Sequence, residues 1–196
     1  MRYLILVGLL ISPSLWADSI AHYQDRRNAY VGGSLMAMKL EYDDGAVNPA
    51  GVNVRLGGML DEHWGVELRA GVGPSPDTWR GNNGRKVDYT LDHVGALLLT
   101  GRLPFQSPVA LPRIDSLFVQ GFAGLADTKV KTDRRYCNAG VCRSDVERND
   151  DTTFAWGVGA GLRTEYNIGL TLQYMHYTTR EYIDITSVEG GLEWYF

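Results

Sequence analysis

The chain has 196 residues, with 19 Lys and Arg against 23 Asp and Glu, and a formal net charge of −4. This weakly acidic balance includes no basic stripe, so nucleic acid is excluded as an expected partner. After the N-terminal segment no uninterrupted apolar run approaches the about 18 residues that a membrane helix requires. The length suits one domain.

The N-terminus has the order of residues that is typical of a secretory signal peptide. A basic start is followed by an apolar run and then by a proline. This order predicts a signal peptide over residues 1–17, cleaved after Ala17 or, alternatively, after Ala21. Residues 18–27 are polar and are predicted to form a periplasmic leader before a single domain at residues 28–196.

Beyond this leader the side chains alternate between apolar and polar, which favours strands over amphipathic helices. In the closing segment, Val188, Leu192 and Trp194 lie on one face of a strand, whereas Glu189 and Glu193 lie on the other. The alternation predicts eight strands at residues 29–42, 52–60, 64–72, 86–103, 116–130, 153–166, 170–179 and 183–196.

The predicted connections alternate between long and short. Residues 43–49, 73–85 and 131–152 read as long loops, and residues 61–62 and 167–169 read as short turns. A further connection at residues 104–115 fits this alternation poorly. Several strands exceed the about 9–11 residues that cross a bilayer. We therefore predict an all-β, eight-stranded antiparallel up-and-down transmembrane β-barrel, with a soluble lipocalin-like barrel as the alternative.

The polar faces of these strands carry charges of both signs. The residues predicted to form a charge network in the lumen are Arg55, Glu67, Arg69, Arg102, Arg163, Glu165, Glu189 and Glu193. Other charged residues predicted to point inward are Lys39, Glu41, Asp88 and Asp92. Side chains fill the interior of an eight-stranded barrel, and charges away from water must be paired. We expect a plugged polar interior, with a small-diameter pore for ions or small solutes as the alternative.

The only two cysteines, Cys137 and Cys142, lie in the longest predicted loop. In an exported chain the oxidising compartment predicts a disulfide between them. No His lies close by in the sequence, so no metal site is expected there. The alternating glycines at residues 157–161 lie in a strand that no helix follows, so they do not indicate a phosphate-binding loop or any other cofactor site.

His176, Thr178 and Glu181 form the one arrangement that loosely resembles catalytic chemistry. Barrel-type lipid A deacylases use a His–hydroxyl–acid set, in which a base lies within hydrogen-bond reach of the nucleophile. A Ser is expected where Thr178 stands, and Glu181 falls in a predicted loop. We therefore expect no enzyme, and a lipid A-modifying barrel enzyme is the weakest alternative.

Aromatic residues are predicted to form two girdles at the membrane interfaces. Those predicted near the outer rim are Tyr42, Trp79, Tyr89, Trp156, Tyr177 and Tyr182. Those predicted near the inner rim are Trp64, Tyr166, Trp194 and Phe196.

Residues 169–174, 177–178 and 190–196 resemble the last hairpin of small outer-membrane β-barrel proteins, the OmpA-like transmembrane domains and porin-family barrels of Gram-negative bacteria. The resemblance implies an outer-membrane location, with outer-membrane lipid and lipopolysaccharide as neighbours. It also implies that Trp194 and Phe196 form the signal that is read by the outer-membrane assembly machinery. We expect no further domain after Phe196, so the resemblance does not imply attachment to the cell wall.

These observations predict a monomeric, non-enzymatic outer-membrane barrel whose extracellular loops meet ligands outside the cell. Envelope integrity, adhesion and resistance are the roles that such a barrel has, and the sequence does not choose among them.

Overall fold

The structure, a computed structural model, describes residues 29–42, 45–80, 86–105, 113–138, 141–178 and 184–196. The strands are β1 (Ala29–Tyr42), β2 (Gly45–Val47), β3 (Ala50–Met59), β4 (Trp64–Arg80), β5 (Lys86–Phe105), β6 (Ile114–Asn138), β7 (Val141–Thr164), β8 (Ile168–Thr178) and β9 (Asp184–Tyr195). Among these residues no helix is long and apolar enough to cross a membrane. The predicted signal peptide and leader lie outside the described ranges and remain predictions.

The strands form one closed antiparallel sheet. From β3 to β9 each strand pairs with the next one in the chain, and β1 pairs with β9 from Tyr30 opposite Tyr195 to Glu41 opposite Asp184. Both β2 and β3 pair with β1, at different heights, so they are two pieces of one strand. Pro49 lies between the pieces and has no N–H for the ladder. The predicted eight-stranded barrel is confirmed.

One end of the barrel, the turn end, carries both Ala29 and Phe196 and the two short turns. In the first turn, the Asp61 carboxylate accepts hydrogen bonds from the backbone N–H groups of His63 and Trp64 at 2.7 and 2.6 Å. In the second, Asn167 has a φ of 61°, a left-handed conformation that Asn adopts more readily than most residues. These local bonds explain why both turns were predictable from sequence.

At the opposite end, the hairpin end, strands continue through segments that were predicted to be loops. β4 extends to Arg80, and the ladder between β6 and β7 continues as far as Asn138 opposite Val141. The loop predictions at residues 73–85 and 131–152 are therefore wrong over their described parts. Backbone hydrogen bonds hold these hairpins together, so they need no alternating apolar face. The predicted loop at residues 43–49 is shortened by β2, and the predicted connection at residues 104–115 is shortened by the end of β5 and the start of β6.

The outer wall of the barrel is a belt of exposed apolar side chains, as predicted for a surface in contact with lipid. On β6 and β7 the belt ends at Leu125 and Phe154, and the next outward residues are Asp127 and Thr152. At the turn end the exposed aromatic residues include Trp64, Phe105, Tyr166, Trp194 and Phe196. The four residues predicted for the inner girdle thus lie at one end of the barrel, and the position of this end at the inner membrane interface stays a prediction.

The predicted facing of β1 and of part of β5 is wrong. Met36, Met38 and Leu40 point inward and are buried, whereas Lys39 is exposed on the outside. Both faces of β1 are rich in apolar or long side chains, so alternation alone did not show which face points inward.

On β5 the ladder skips one residue between Leu91 and His93, which is a β-bulge. The extra residue shifts the alternation of inward and outward side chains by one position. Before the bulge Leu91 therefore points inward and is buried, and Asp92 is exposed. Asp92 therefore does not point into the lumen as predicted, and Asp88 is only half-buried.

Candidate functional site: the barrel interior

The carboxylate of Glu189 is the centre of one buried polar cluster. It accepts hydrogen bonds from Asn53 Nδ2 at 2.7 Å and Ser187 Oγ at 2.8 Å. The Tyr177 hydroxyl and Arg69 Nη1 donate to it at 3.1 Å each. Ser34 Oγ also donates to it at 3.5 Å. Donors from five strands therefore orient one fully buried anion, and the Arg69 guanidinium supplies a compensating positive charge.

Arg69 joins this cluster to a second carboxylate. Its Nε donates to Glu67, which also accepts from the Tyr30 hydroxyl, and its Nη2 donates to Gln173 Oε1 at 2.7 Å. The guanidinium thus uses its three nitrogens on three acceptors, the fork geometry that favours Arg over Lys in buried ion pairs.

The third carboxylate, Glu193, lies nearer the turn end between two arginines. Arg55 Nη1 is 3.3 Å from Oε1, and Arg102 Nη2 is 3.7 Å from Oε2. The Tyr195 hydroxyl donates to Oε2 at 2.6 Å and accepts from Arg102 Nη1 at 2.9 Å. Each of the three buried glutamates therefore has both a tyrosine and an arginine as partners.

Aromatic rings pack over the same guanidinium groups. Arg102 lies 4.1 Å from the centre of the Phe118 ring and Arg69 lies 4.6 Å from that of Phe122. Cation–π contacts of this kind are strongest where water is absent. We call Arg55, Glu67, Arg69, Arg102, Glu189, Glu193 and their partners Tyr30, Tyr177 and Tyr195 the charged layer.

Of the eight residues predicted for the lumen network, Arg163 lies at the edge of the charged layer and Glu165 lies outside it. Arg163 is half-buried, with its guanidinium 4.4 Å from the Tyr195 ring and its Nη2 donating to Asn167 Oδ1 at 3.1 Å. Glu165 is exposed in the turn that follows β7, so the prediction that it points inward is wrong. It lies beyond the last ladder position of β7, where strand alternation no longer sets the direction of a side chain.

The tyrosines of the charged layer were missed as site residues. Tyr177 was predicted for the outer aromatic girdle but is buried and bonded to Glu189, so that prediction is wrong. Tyr195 already shared a face with Glu193 in the sequence, and this shared face is the signal that identifies it.

Toward the hairpin end the interior becomes mainly apolar, although Tyr177 of the charged layer and the buried Thr128 and Thr132 also lie there. On β8 the inward residues change from Thr171 and Gln173 to Met175, and on β5 they change in the same direction from Arg102 to Leu98. The buried residues that form this apolar layer are Met36, Met38, Leu40, Val47, Leu91, Val94, Ala96, Leu98, Phe122, Ala126, Val130, Ala155, Met175 and Ile185. The prediction of a polar interior therefore holds for the charged layer, whereas most of the buried residues toward the hairpin end are apolar.

The other candidate sites of the sequence lie apart from the interior. His176 is on the outer wall with its ring 5.4 Å from that of Trp156, and the side chains of Thr178 and Glu181 lie outside the described residues. The backbone places Cys137 directly opposite Cys142. Within the described part of the chain no three His, Cys, Asp or Glu residues are grouped to hold a metal ion.

Comparison with known proteins agrees with this architecture. The family model for the outer membrane protein beta-barrel domain matches residues 5–196. The chain belongs to this family. It is an outer-membrane protein of a Gram-negative bacterium. No match was found among curated protein sequences.

Solved structures with similar folds are also small outer-membrane barrels. The attachment invasion locus protein Ail of Yersinia pestis, in complex with the heparin analogue sucrose octasulfate, is 13% identical with a TM-score of 0.56, covering 86% of this chain and 98% of Ail. Neisserial surface protein A is 11% identical, with a TM-score of 0.55 and coverage of 86% and 97%. OprG of Pseudomonas aeruginosa is 11% identical, with a TM-score of 0.54 and coverage of 86% and 96%. At these identities the likeness shows the fold alone.

Proposed function

We propose that this protein is an insulating, non-enzymatic scaffold of the outer membrane that displays strand hairpins at the cell surface. The observation that carries the proposal is the filled interior, in which a paired charged layer is followed by an apolar layer. In outer-membrane barrels short turns face the periplasm and long connections face outward. The turn end is therefore periplasmic and the hairpin end extracellular.

The apolar layer makes conduction unfavourable. An ion in the lumen would leave the charged layer and pass between Met175, Leu98 and Phe122, which are all buried. Moving a charge into apolar surroundings without a partner is very costly. A small pore thus requires rearrangement of packed side chains and not merely of ion pairs.

Planar-bilayer recording tests this proposal. We expect purified barrel to add no unitary conductance steps under conditions in which a large porin does. A difference in electrophoretic mobility with and without boiling shows that the inserted protein is folded. Reproducible steps from folded protein would contradict the proposal and favour the small pore.

Among envelope roles we select attachment, because the β6–β7 hairpin projects far beyond the apolar belt. The belt ends at Leu125, and β6 continues to Asn138. At about 3.3 Å per residue this continuation spans about 40 Å along the strand. The similar fold of Ail, an attachment invasion locus protein, supports this choice.

Shortening the hairpin tests the attachment role. Asp133 and Val146 are directly opposite each other, so replacing residues 134–145 with Asn-Gly closes the hairpin with a two-residue turn. We expect bacteria that carry this variant to lose adherence to cultured host cells while the barrel retains its heat-dependent mobility. Full adherence by the shortened variant would contradict the attachment role.

We also propose that Trp194 and Phe196 form the signal for the assembly machinery. Both side chains are exposed on the outer wall, with their rings 6.0 Å apart, so a partner can reach them. We expect Phe196→Ala to reduce the amount of assembled barrel in cells, whereas Val188→Ala, on the same face of β9, changes it little. Equal amounts for both variants would contradict this role.

A further inference from the structure

A recess interrupts the apolar belt on the outer wall of β3, β4 and β5. It is a groove of about 470 Å³ whose lining includes Val52, Val54, Ala70, Val72, His93 and Gly95. The register explains it, because Ala70 is opposite both Val54 and Gly95 and thus places two small residues side by side.

The rows on either side of this recess differ in chemistry. On the periplasmic side the row consists of bulky exposed residues, with Leu68 opposite both Leu56 and Leu97. On the extracellular side, His93 is opposite Lys129. One end of the groove therefore lies against bulky apolar side chains, and the other end lies against polar and charged side chains.

The polar rim of the groove is held by hydrogen bonds. Asp127, opposite Gly95, has Oδ2 3.3 Å from His93 Nε2 and Oδ1 accepting from Thr152 Oγ1 at 3.0 Å. About half of each of the His93 and Asp127 side chains is exposed, so a ligand can reach them. A headgroup at this height meets the imidazole of His93 and the ammonium of Lys129.

We propose that this groove binds lipid A, the phosphorylated and acylated glycolipid that anchors lipopolysaccharide in the outer leaflet. One acyl chain occupies the recess over Ala70 and Gly95, and a phosphate lies beside His93 and Lys129. The depth of the groove, at the extracellular edge of the belt, suits the outer leaflet and not the inner one. The inference deepens the proposed function by placing the lipid partner, and it rests on the membrane orientation given there.

The glycines supply a matched pair of variants. A Cβ at Gly95 would have no heavy atom within 4 Å, and the same is true of Gly190, which is on the outer wall of β9 opposite Leu35 and Leu172. Leucine therefore fits both positions without touching the barrel interior, but only Gly95→Leu fills the groove. Ala70→Leu fills the same groove from β4 and serves as a second variant.

Native mass spectrometry of the intact barrel released from nanodiscs measures the retained lipid. The nanodiscs contain phosphatidylcholine with lipid A, dephosphorylated lipid A or phosphatidylglycerol. We expect wild type and Gly190→Leu to retain lipid A equally, and Gly95→Leu and Ala70→Leu to bind it at least about tenfold more weakly, or about 1.4 kcal/mol. His93→Gln should weaken binding of lipid A but not of its dephosphorylated form.

Three results would overturn the inference. These are equal retention of lipid A by Gly95→Leu and wild type, equal losses for Gly95→Leu and Gly190→Leu, and equal retention of phosphatidylglycerol and lipid A. The last result would show that the retained lipid is ordinary annular lipid, for which the groove has no preference. Because the bilayer recording is made without lipid A, failure here leaves the proposal of an insulating barrel unaffected, and conduction there leaves the lipid site unaffected.

Discussion

The charged layer and the apolar layer fill the same lumen by different means. Around Glu189 and Glu193 the interior is held by directional contacts, in which each anion has several donors at fixed distances. Around Met175 and Leu98 it is held by close packing, which has no preferred direction. The first arrangement fixes the positions of the strands relative to one another, and the second excludes water and ions.

The two layers should therefore fail differently when one side chain is removed. Loss of one member of a buried ion pair leaves its partner charged without compensation. Loss of an apolar side chain leaves a cavity whose cost depends on how far the neighbours relax.

The largest effect is expected in the charged layer. Glu189→Ala leaves Arg69 without one of its two carboxylates and should lower the free energy of unfolding by about 3–5 kcal/mol. Urea unfolding of the barrel in liposomes measures this value. Glu165→Ala is the control, and as an exposed turn residue it should change stability by no more than about 0.5 kcal/mol. Similar losses for the two variants would show that the network does not hold the barrel together.

A somewhat smaller effect is expected in the apolar layer. Leu98→Ala removes a fully buried side chain and should cost about 2–4 kcal/mol in the same assay. The adjacent Leu97→Ala removes the same atoms from the lipid-facing wall, where no interior cavity is left. A loss for Leu97→Ala as large as that for Leu98→Ala would contradict the packed apolar layer.

A third effect should be confined to the β6–β7 hairpin, outside both layers. The predicted disulfide between Cys137 and Cys142 closes a short loop, so replacing both with Ser should destabilise the hairpin by about 2 kcal/mol. Amide hydrogen exchange should therefore become faster in residues 131–150, with no change in β8 or β9. Free thiols detected by alkylation of the unreduced, unfolded wild type would show that the disulfide is absent.

The smallest effect is expected at the exposed carboxylate of Asp61, which contrasts with the buried carboxylates of the charged layer. Hydrogen bonds from the backbone N–H groups of His63 and then Trp64 lower the pKa of Asp61. Its contribution to stability is thus present above the ordinary Asp value of about 3.9 and is lost as pH falls through the lowered pKa. Asp61→Asn keeps an acceptor oxygen but does not titrate, so its stability should not show this decline at low pH. Parallel acid profiles for the two proteins would contradict the prediction.

The arginines and glutamates of the charged layer could be anticipated from sequence because alternation marks them directly, whereas its tyrosines were missed. Glu67 and Arg69 alternate with Val66, Leu68 and Ala70, so only the face formed by the three apolar residues can meet lipid. The same reasoning located both short turns and the closing strand.

The apolar layer could not be anticipated, because its strands are apolar on both faces. Between Val94 and Leu99 no polar residue shows which side is the lumen, and the bulge at Asp92 then reverses the facing. The extension of the strands at the hairpin end was not predicted for a related reason. The backbone ladder alone continues these hairpins, so their sequences need no two-faced pattern.

The seam between β1 and β9 has a consequence for the order of folding. The Phe196 N–H donates to the Ala29 carbonyl at 2.9 Å, and the two strands pair along nearly their whole length. Contacts so distant in the chain form slowly, because the loop between them must close first. Until β9 arrives, β1 keeps one side of its backbone without a partner strand. If the strands assemble from the N-terminus, every intermediate therefore has an unpaired edge at β1. Pairing of β9 with β1 satisfies the backbone groups at this edge and makes the barrel compatible with lipid.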